Sequence, residues 1–302
     1  MKYHFGDFLD RDGDYWTIVP NRERYCRGLD DIDEESKILT LYGSDSNYGR
    51  VRELSNLEEL TLHEPSKEQL AFLSNLEQLR CLRITHARSK DLGFIEPLVN
   101  VEQLVLEYVS GFSDLSPLRC LPKLRALHTE NLRRVSDFTG LTGLDSLKFL
   151  SIYGTLDWRQ PIADFEFIRD IPNLEVLSMW QIINKSAFPA TLPVLSLKHL
   201  KRLRMAWNEL SADECALLES GLAHVSGADW GPYTEFRRSE GDVWYEFTGK
   251  GSGATKCGSK NAEARCAQYA EKYSRMKDNA LLLIKATQQG DAEDGLTSAT
   301  DL

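Results

Sequence analysis

The stretch GATKCGSK, Gly253 to Lys260, sets two glycines around four residues and then adds a hydroxyl and a lysine, the ingredients of a phosphate-binding loop. Such a loop needs a strand before it, a helix after it and the order lysine then hydroxyl, because the lysine spans the terminal phosphates while the hydroxyl reaches magnesium. Here the order is Ser259 then Lys260, so the stretch reads as a glycine turn in which Ser259 or Asn261 caps a helix. Asp10, Asp12 and Asp14 in DRDGDYWTIV have the one-three-five spacing of a calcium loop. Its sixth and twelfth positions, however, are Tyr15 and Asn21 rather than glycine and a bidentate acid. This stretch reads as a solvated acidic turn before a strand. GxSxG, HExxH and an adjoining Cys–His pair are all missing, so no catalytic residue, metal or cofactor is expected.

A net charge of -10 and a pI near 5.2 argue against nucleic acid, whose binders neutralise phosphates with lysine and arginine. The opening MKYHFGDFLDRDGDYW lacks a basic segment followed by an apolar one, and no later run reaches the ~18 apolar residues of a membrane span. Cys26, Cys81, Cys120, Cys215, Cys257 and Cys266 are scattered without CxxC pairs, which fits neither a disulfide framework nor a zinc site. The expectation is a soluble cytoplasmic protein with reduced thiols, monomeric, and without membrane or nucleic-acid partners.

The elements that position any site come from a repeat. LEELTL, LRCLRI, VEQLVL, LRALHT, LKFLSI, LEVLSM and LKRLRM recur with anchors at Leu60, Leu82, Leu104, Leu127, Leu150, Leu177 and Leu203, and ILTLYG adds Leu39 in front. The steps are 21, 22, 22, 23, 23, 27 and 26 residues. An L-x-L alternation is a strand with one buried face, and a single unit cannot bury that face alone, so units stack with their strands parallel. Several units agree in phase over residues 37–229, and there the sequence resembles the leucine-rich-repeat family, in its short subtype of about 22 residues.

The resemblance implies an α/β, right-handed solenoid of about eight parallel strands lining a concave face. Prolines in the connections (Pro65, Pro97, Pro117, Pro122, Pro172 and Pro193) leave room only for turns or short helices on the convex side. The longer last units carry DWRQPIADFEFIRD and IINKSAFPATLPVLS, loops placed to wall the concave face. The division is an N-terminal cap at 1–36 with DYWTIV as a strand, the solenoid at 37–230, a hairpin-helix cap at 231–276 and a flexible tail at 277–302, with LLLI open to a helical extension. In the cap, Tyr269, Tyr273 and Met276 should pack toward Trp244 and Phe247 or toward the last repeat.

Side chains between the buried leucines point to the concave face. Over the last repeats these include Phe149, Tyr153, Val176, Trp180, Arg202 and Arg204, with Trp207 one position further on. Large aromatics on adjacent strands about 4.8 Å apart need a cover, supplied either by a partner or by the chain's own loops. Aromatics beside arginine are the usual anchors of an interface, so Phe149, Tyr153, Trp180, Arg202, Arg204 and Trp207 are the predicted contacts for a protein or peptide. His63, Glu107, His128 and Glu130 lie on neighbouring strands, but the two histidines are three strands, about 14 Å, apart and cannot share an ion. The resemblance implies a non-catalytic interaction scaffold. The alternative is that the repeats present a substrate or ligand to a small catalytic or ligand-binding module at 231–276.

Overall fold

The computed structural model describes residues 9–12, 15–18, 26–27, 29, 32–206, 208–238 and 241–297, with side chains over 29, 32–206, 208–238 and 241–289. Asp14, Trp207 and residues 298–302 fall outside these ranges. The chain divides into two compact units, 1–185 with 196–204 and 186–195 with 205–302.

In the first unit, β1 (Leu9–Asp12) and β2 (Tyr15–Ile18) form an antiparallel hairpin, which takes Asp10 and Asp12 into a strand. The main sheet begins at β3 (Cys26–Arg27) and runs through β4 (Ile38–Tyr42), β5 (Glu59–His63), β6 (Cys81–Thr85), β7 (Gln103–Glu107), β8 (Ala126–Glu130) and β9 (Phe149–Tyr153). After β10 (Gln160–Ile162) comes β11 (Val176–Trp180), and after β12 (Ile182–Asn184) comes β13 (Arg202–Met205). The sheet has nine strands in the order β13-β11-β9-β8-β7-β6-β5-β4-β3. Leu39, Leu60, Leu82, Leu104, Leu127, Leu150 and Leu177 are in direct register, so the anchors form one unbroken buried row. Burying each such side chain stabilises the stack by roughly 2 kcal/mol.

Among the described residues the convex connections are mostly 3-10 turns, with one short helix, α1 (Lys67–Phe72), started by a Ser66/Gln69 capping box. Several turns begin alike: Asp91, Asp114, Asp137 and Asp164 each accept, through Oδ1, the N–H two residues on, at 2.8 to 3.0 Å. A carboxylate in that position folds the backbone into a turn by accepting a nearby N–H. At the opposite ends of the strands, Glu64, His86, Tyr108, Asn131 and Gln181 take φ of 48° to 56° to swing the chain off the sheet.

A row of charges precedes the strands. Glu58 meets Lys37 and Arg80, Glu102 meets Arg80 and Arg125, and Glu175 meets Lys148 and Lys201.

In the second unit, α2 (Ala212–Leu222) starts at Ser211, whose hydroxyl accepts from the Glu214 N–H, and buries Cys215, Leu217 and Leu218. The Glu214 carboxylate accepts the N–H groups of Ala190 and Thr191, at 2.7 and 3.0 Å, and the Thr191 hydroxyl. Strands β14 (Tyr233–Arg237), β15 (Val243–Phe247) and β16 (Ala254–Lys256) form an antiparallel sheet followed by α3 (Ala262–Thr297). The Gly253–Lys260 stretch thus contributes an edge strand and a turn. Phe247 stacks on Tyr269 at 4.7 Å, Tyr273 is buried, and Lys277 meets Glu219 on α2 at 2.5 Å. Trp244 is covered by the Arg238 guanidinium at 4.1 Å. Helix α3 continues through LLLI and on to Thr297; this stretch contains no proline, and Ala280 with Leu281, Leu282 and Leu283 are strong helix formers. No described helix is long and apolar enough to cross a membrane.

Candidate functional site

The predicted contacts Phe149, Tyr153, Trp180, Arg202 and Arg204 all belong to the first unit; Trp207 lies outside the described residues. Register places Phe149 beside Val176 and Tyr153 beside Trp180. Phe149 stands in register between Ala126 and Val176 and is closed into an apolar cluster with them and Val105, so its ring fills space and presents no surface. Tyr153 is half-buried, with its hydroxyl 2.8 Å from Ser178 Oγ and its ring edge-on to His128 at 5.2 Å. Trp180 remains 49% exposed. Arg202 is half-buried and Arg204 exposed.

Sequence reasoning missed a neighbour of Trp180. After β9 the chain folds into a tight turn closed by Thr155 and Trp158, the N–H of each donating to the other's carbonyl at 2.7 and 3.2 Å. Leu156 stands at its tip, 91% exposed. The turn is held to the end of β11 by Gly154 N–H to Trp180 C=O and Gln160 N–H to Gln181 C=O, both 2.8 Å. From there β10 and β12 pair in parallel. Two of the most exposed apolar side chains of the unit therefore sit on segments bonded to each other, with Arg202 and Arg204 on the next strand of the sheet.

Further back the concave face is closed. Thr40, Thr61, Val105, His128, Ser151 and Ser178 occupy the middle concave row and are all buried. β1 lies against β7 and β8. The leucine core fills the other side of the sheet, so β1 approaches these two strands from the concave side.

The same face carries a polar cluster. Arg83 donates to Glu107 at 2.6 and 3.0 Å, and His128 Nδ1 lies 2.8 Å from Ser151 Oγ. His128 Nε2 is 3.9 Å from Glu107 Oε1. Ser151, His128 and Glu107 thus stand in the order of a nucleophile, base and acid on three successive strands. The second link is too long for a hydrogen bond and the serine is sealed from substrate, so the group holds the strands together rather than reacting. Burial pushes the His128 pKa down to about 4, against the pull of Glu107, and pushes Glu130 up, assisted by the Glu107 charge. Among the described residues no three His, Cys, Asp or Glu side chains gather to hold a metal.

No protein-family model matches the chain, and no curated protein does. Among solved structures it is similar to an internalin (inlF) from Listeria monocytogenes, with 20% identity and a TM-score of 0.52 over 66% of this chain and 55% of that one. It is also similar to internalin C2 (inlC2) from the same organism, with 22% identity and a TM-score of 0.38 over 52% and 74% of the two chains. The LRR ectodomain of the plant receptor kinase GASSHO1/SCHENGEN3 from Arabidopsis thaliana matches at 18% identity and a TM-score of 0.33, over 57% and 24%. The match spans about half, 55%, of the first internalin's own length. Together with the in-register leucine row, this makes the fold that of the leucine-rich-repeat proteins.

Proposed function

We propose that this chain is a non-catalytic scaffold that binds a protein or peptide, as a monomer in a reducing, cytoplasmic setting. The contact surface is the C-terminal end of the repeat sheet, where Trp180 and Leu156 are the anchors, Tyr153 supports them and Arg202 and Arg204 favour an acidic group on the partner. The observation that carries this reading is the joint exposure of Trp180 and Leu156 on two segments fastened by backbone hydrogen bonds, a preformed apolar patch beside cations. Rigid presentation of such anchors limits the ordering cost of binding. Six cysteines scattered without paired spacing fit a reducing compartment.

The test is affinity capture from host lysate with the parent, Trp180→Ala and Glu59→Ala, each checked for unchanged melting. Loss of a partner in Trp180→Ala alone supports the site. Equal capture by a normally folded Trp180→Ala removes it.

A further inference from the structure

Outside that surface, the first unit carries a hollow of about 700 Å³ between α1 and the chain leaving β6. Lys67, Arg88, Lys90 and Arg134 converge on it, all four exposed and none with a carboxylate partner among the described residues. The sole acid on the wall, Asp91, is engaged by the Gly93 N–H at 3.0 Å. Four cations around one cavity, in a chain of net charge -10, are held together at a cost in mutual repulsion that an anion would relieve.

The floor differs from the rim. Buried Leu70 and half-buried Phe94 line it with apolar surface. One wall is backbone drawn in closely: Ser89 N–H donates to Ser110 C=O at 2.9 Å, and Gly111, at φ +110°, lies where a Cβ would stand 2.1 Å from the Ser89 carbonyl oxygen. The hollow therefore has fixed walls that set Arg88 and Lys90 beside Phe94.

We infer that this hollow binds an organic phosphate, its apolar body on Leu70 and Phe94 and its phosphoryl oxygens among Arg88, Arg134, Lys67 and Lys90. The guanidinium forks match a phosphoryl group's paired oxygens, and the volume lies within the ordinary range of small-ligand sites. The inference stands independently of the protein-binding surface.

The probes are 1-naphthyl phosphate, inorganic phosphate and 1-naphthol, titrated calorimetrically into the full chain at low salt. Naphthyl phosphate should bind about tenfold or more tighter than inorganic phosphate, with naphthol not binding. Arg88→Gln combined with Arg134→Gln should weaken it at least about tenfold, while Lys250→Gln, on the second unit, leaves it unchanged. All three positions are exposed, and melting curves confirm intact folding. Absence of naphthyl phosphate binding, equal binding by the double variant, or equal affinities for the phosphate ester and either fragment would overturn the inference.

Discussion

The N–H of Gly154 donates to the carbonyl of Trp180 at 2.8 Å, tying the turn that displays Leu156 to the strand that displays the tryptophan. Gly154 has no room for a side chain: a Cβ would lie 2.2 Å from the Gln181 carbonyl oxygen and 2.6 Å from the Gln160 nitrogen. Gly154→Ala should therefore destabilise the first unit by about 1 to 3 kcal/mol and weaken partner capture, read by denaturant unfolding and pull-down. Leu156→Ser, at a fully exposed tip, should weaken capture with the melting temperature unchanged.

Acid should loosen the concave cluster through His128. Its pKa is about 4 in the folded chain against about 6.5 unfolded, so the unfolded state takes up the proton first. The stabilising contribution is full above pH 6.5 and is lost as pH falls toward 4, in all roughly 3 kcal/mol. Glu130, with its pKa raised, acts in the opposite sense, so the variant is compared with the parent. His128→Asn should flatten the fall in unfolding free energy between pH 6.5 and 4; an unaltered slope would show that the histidine is not buried neutral.

Glu214 closes a different account in the second unit. It alone satisfies the backbone N–H of buried Thr191, and removing its carboxylate orphans that donor and the Ala190 N–H. Glu214→Ala should cost about 2 to 3 kcal/mol, with Glu214→Gln intermediate because one amide oxygen still accepts. Urea midpoints of the three proteins check the order.

Tyr273 is 3% exposed on α3, and its pKa is raised by burial and then by the Glu219 charge. Tyr273→Asp would place a second carboxylate beside Glu219 in a desolvated site and should cost several kcal/mol. An unaltered thermal transition would mean that α3 is not packed on α2.

The leucine row was legible because each anchor recurs at nearly constant spacing and zero register leaves no other way to stack them. The aspartate-led convex turns carry an equally regular signal, seen only once the side-chain bonds of Asp91, Asp114, Asp137 and Asp164 are known. At the site, alternation tells which face a residue occupies but not what lies over it. It placed Phe149 and Trp180 alike, yet Phe149 is enclosed by its row neighbours and Trp180, at the strand's end, is not. Leu156 escaped notice because it stands just beyond the alternating strand. His128 is buried on a strand that β1, more than a hundred residues away in sequence, approaches, and no local pattern announces that approach. Helix α2 carries its own start signal, Ser211 with Asp213 and Glu214 in its first turn, within the range 37–230 read as solenoid.

The charges that precede the strands give the solenoid a parity. Lys37, Glu58, Arg80, Glu102 and Arg125 alternate in sign, as do Lys148, Glu175 and Lys201. Each such pair is worth at most ~1 kcal/mol, but their order makes repeats non-interchangeable. Excising the Arg80 repeat would set Glu58 against Glu102, whereas excising two consecutive repeats would set it against Arg125 and restore alternation. The step from Arg125 to Lys148 is the one break in the series. There alone the loss of a single repeat improves the ladder, so a chain shortened at that joint should tolerate the excision better than one shortened anywhere else along the row.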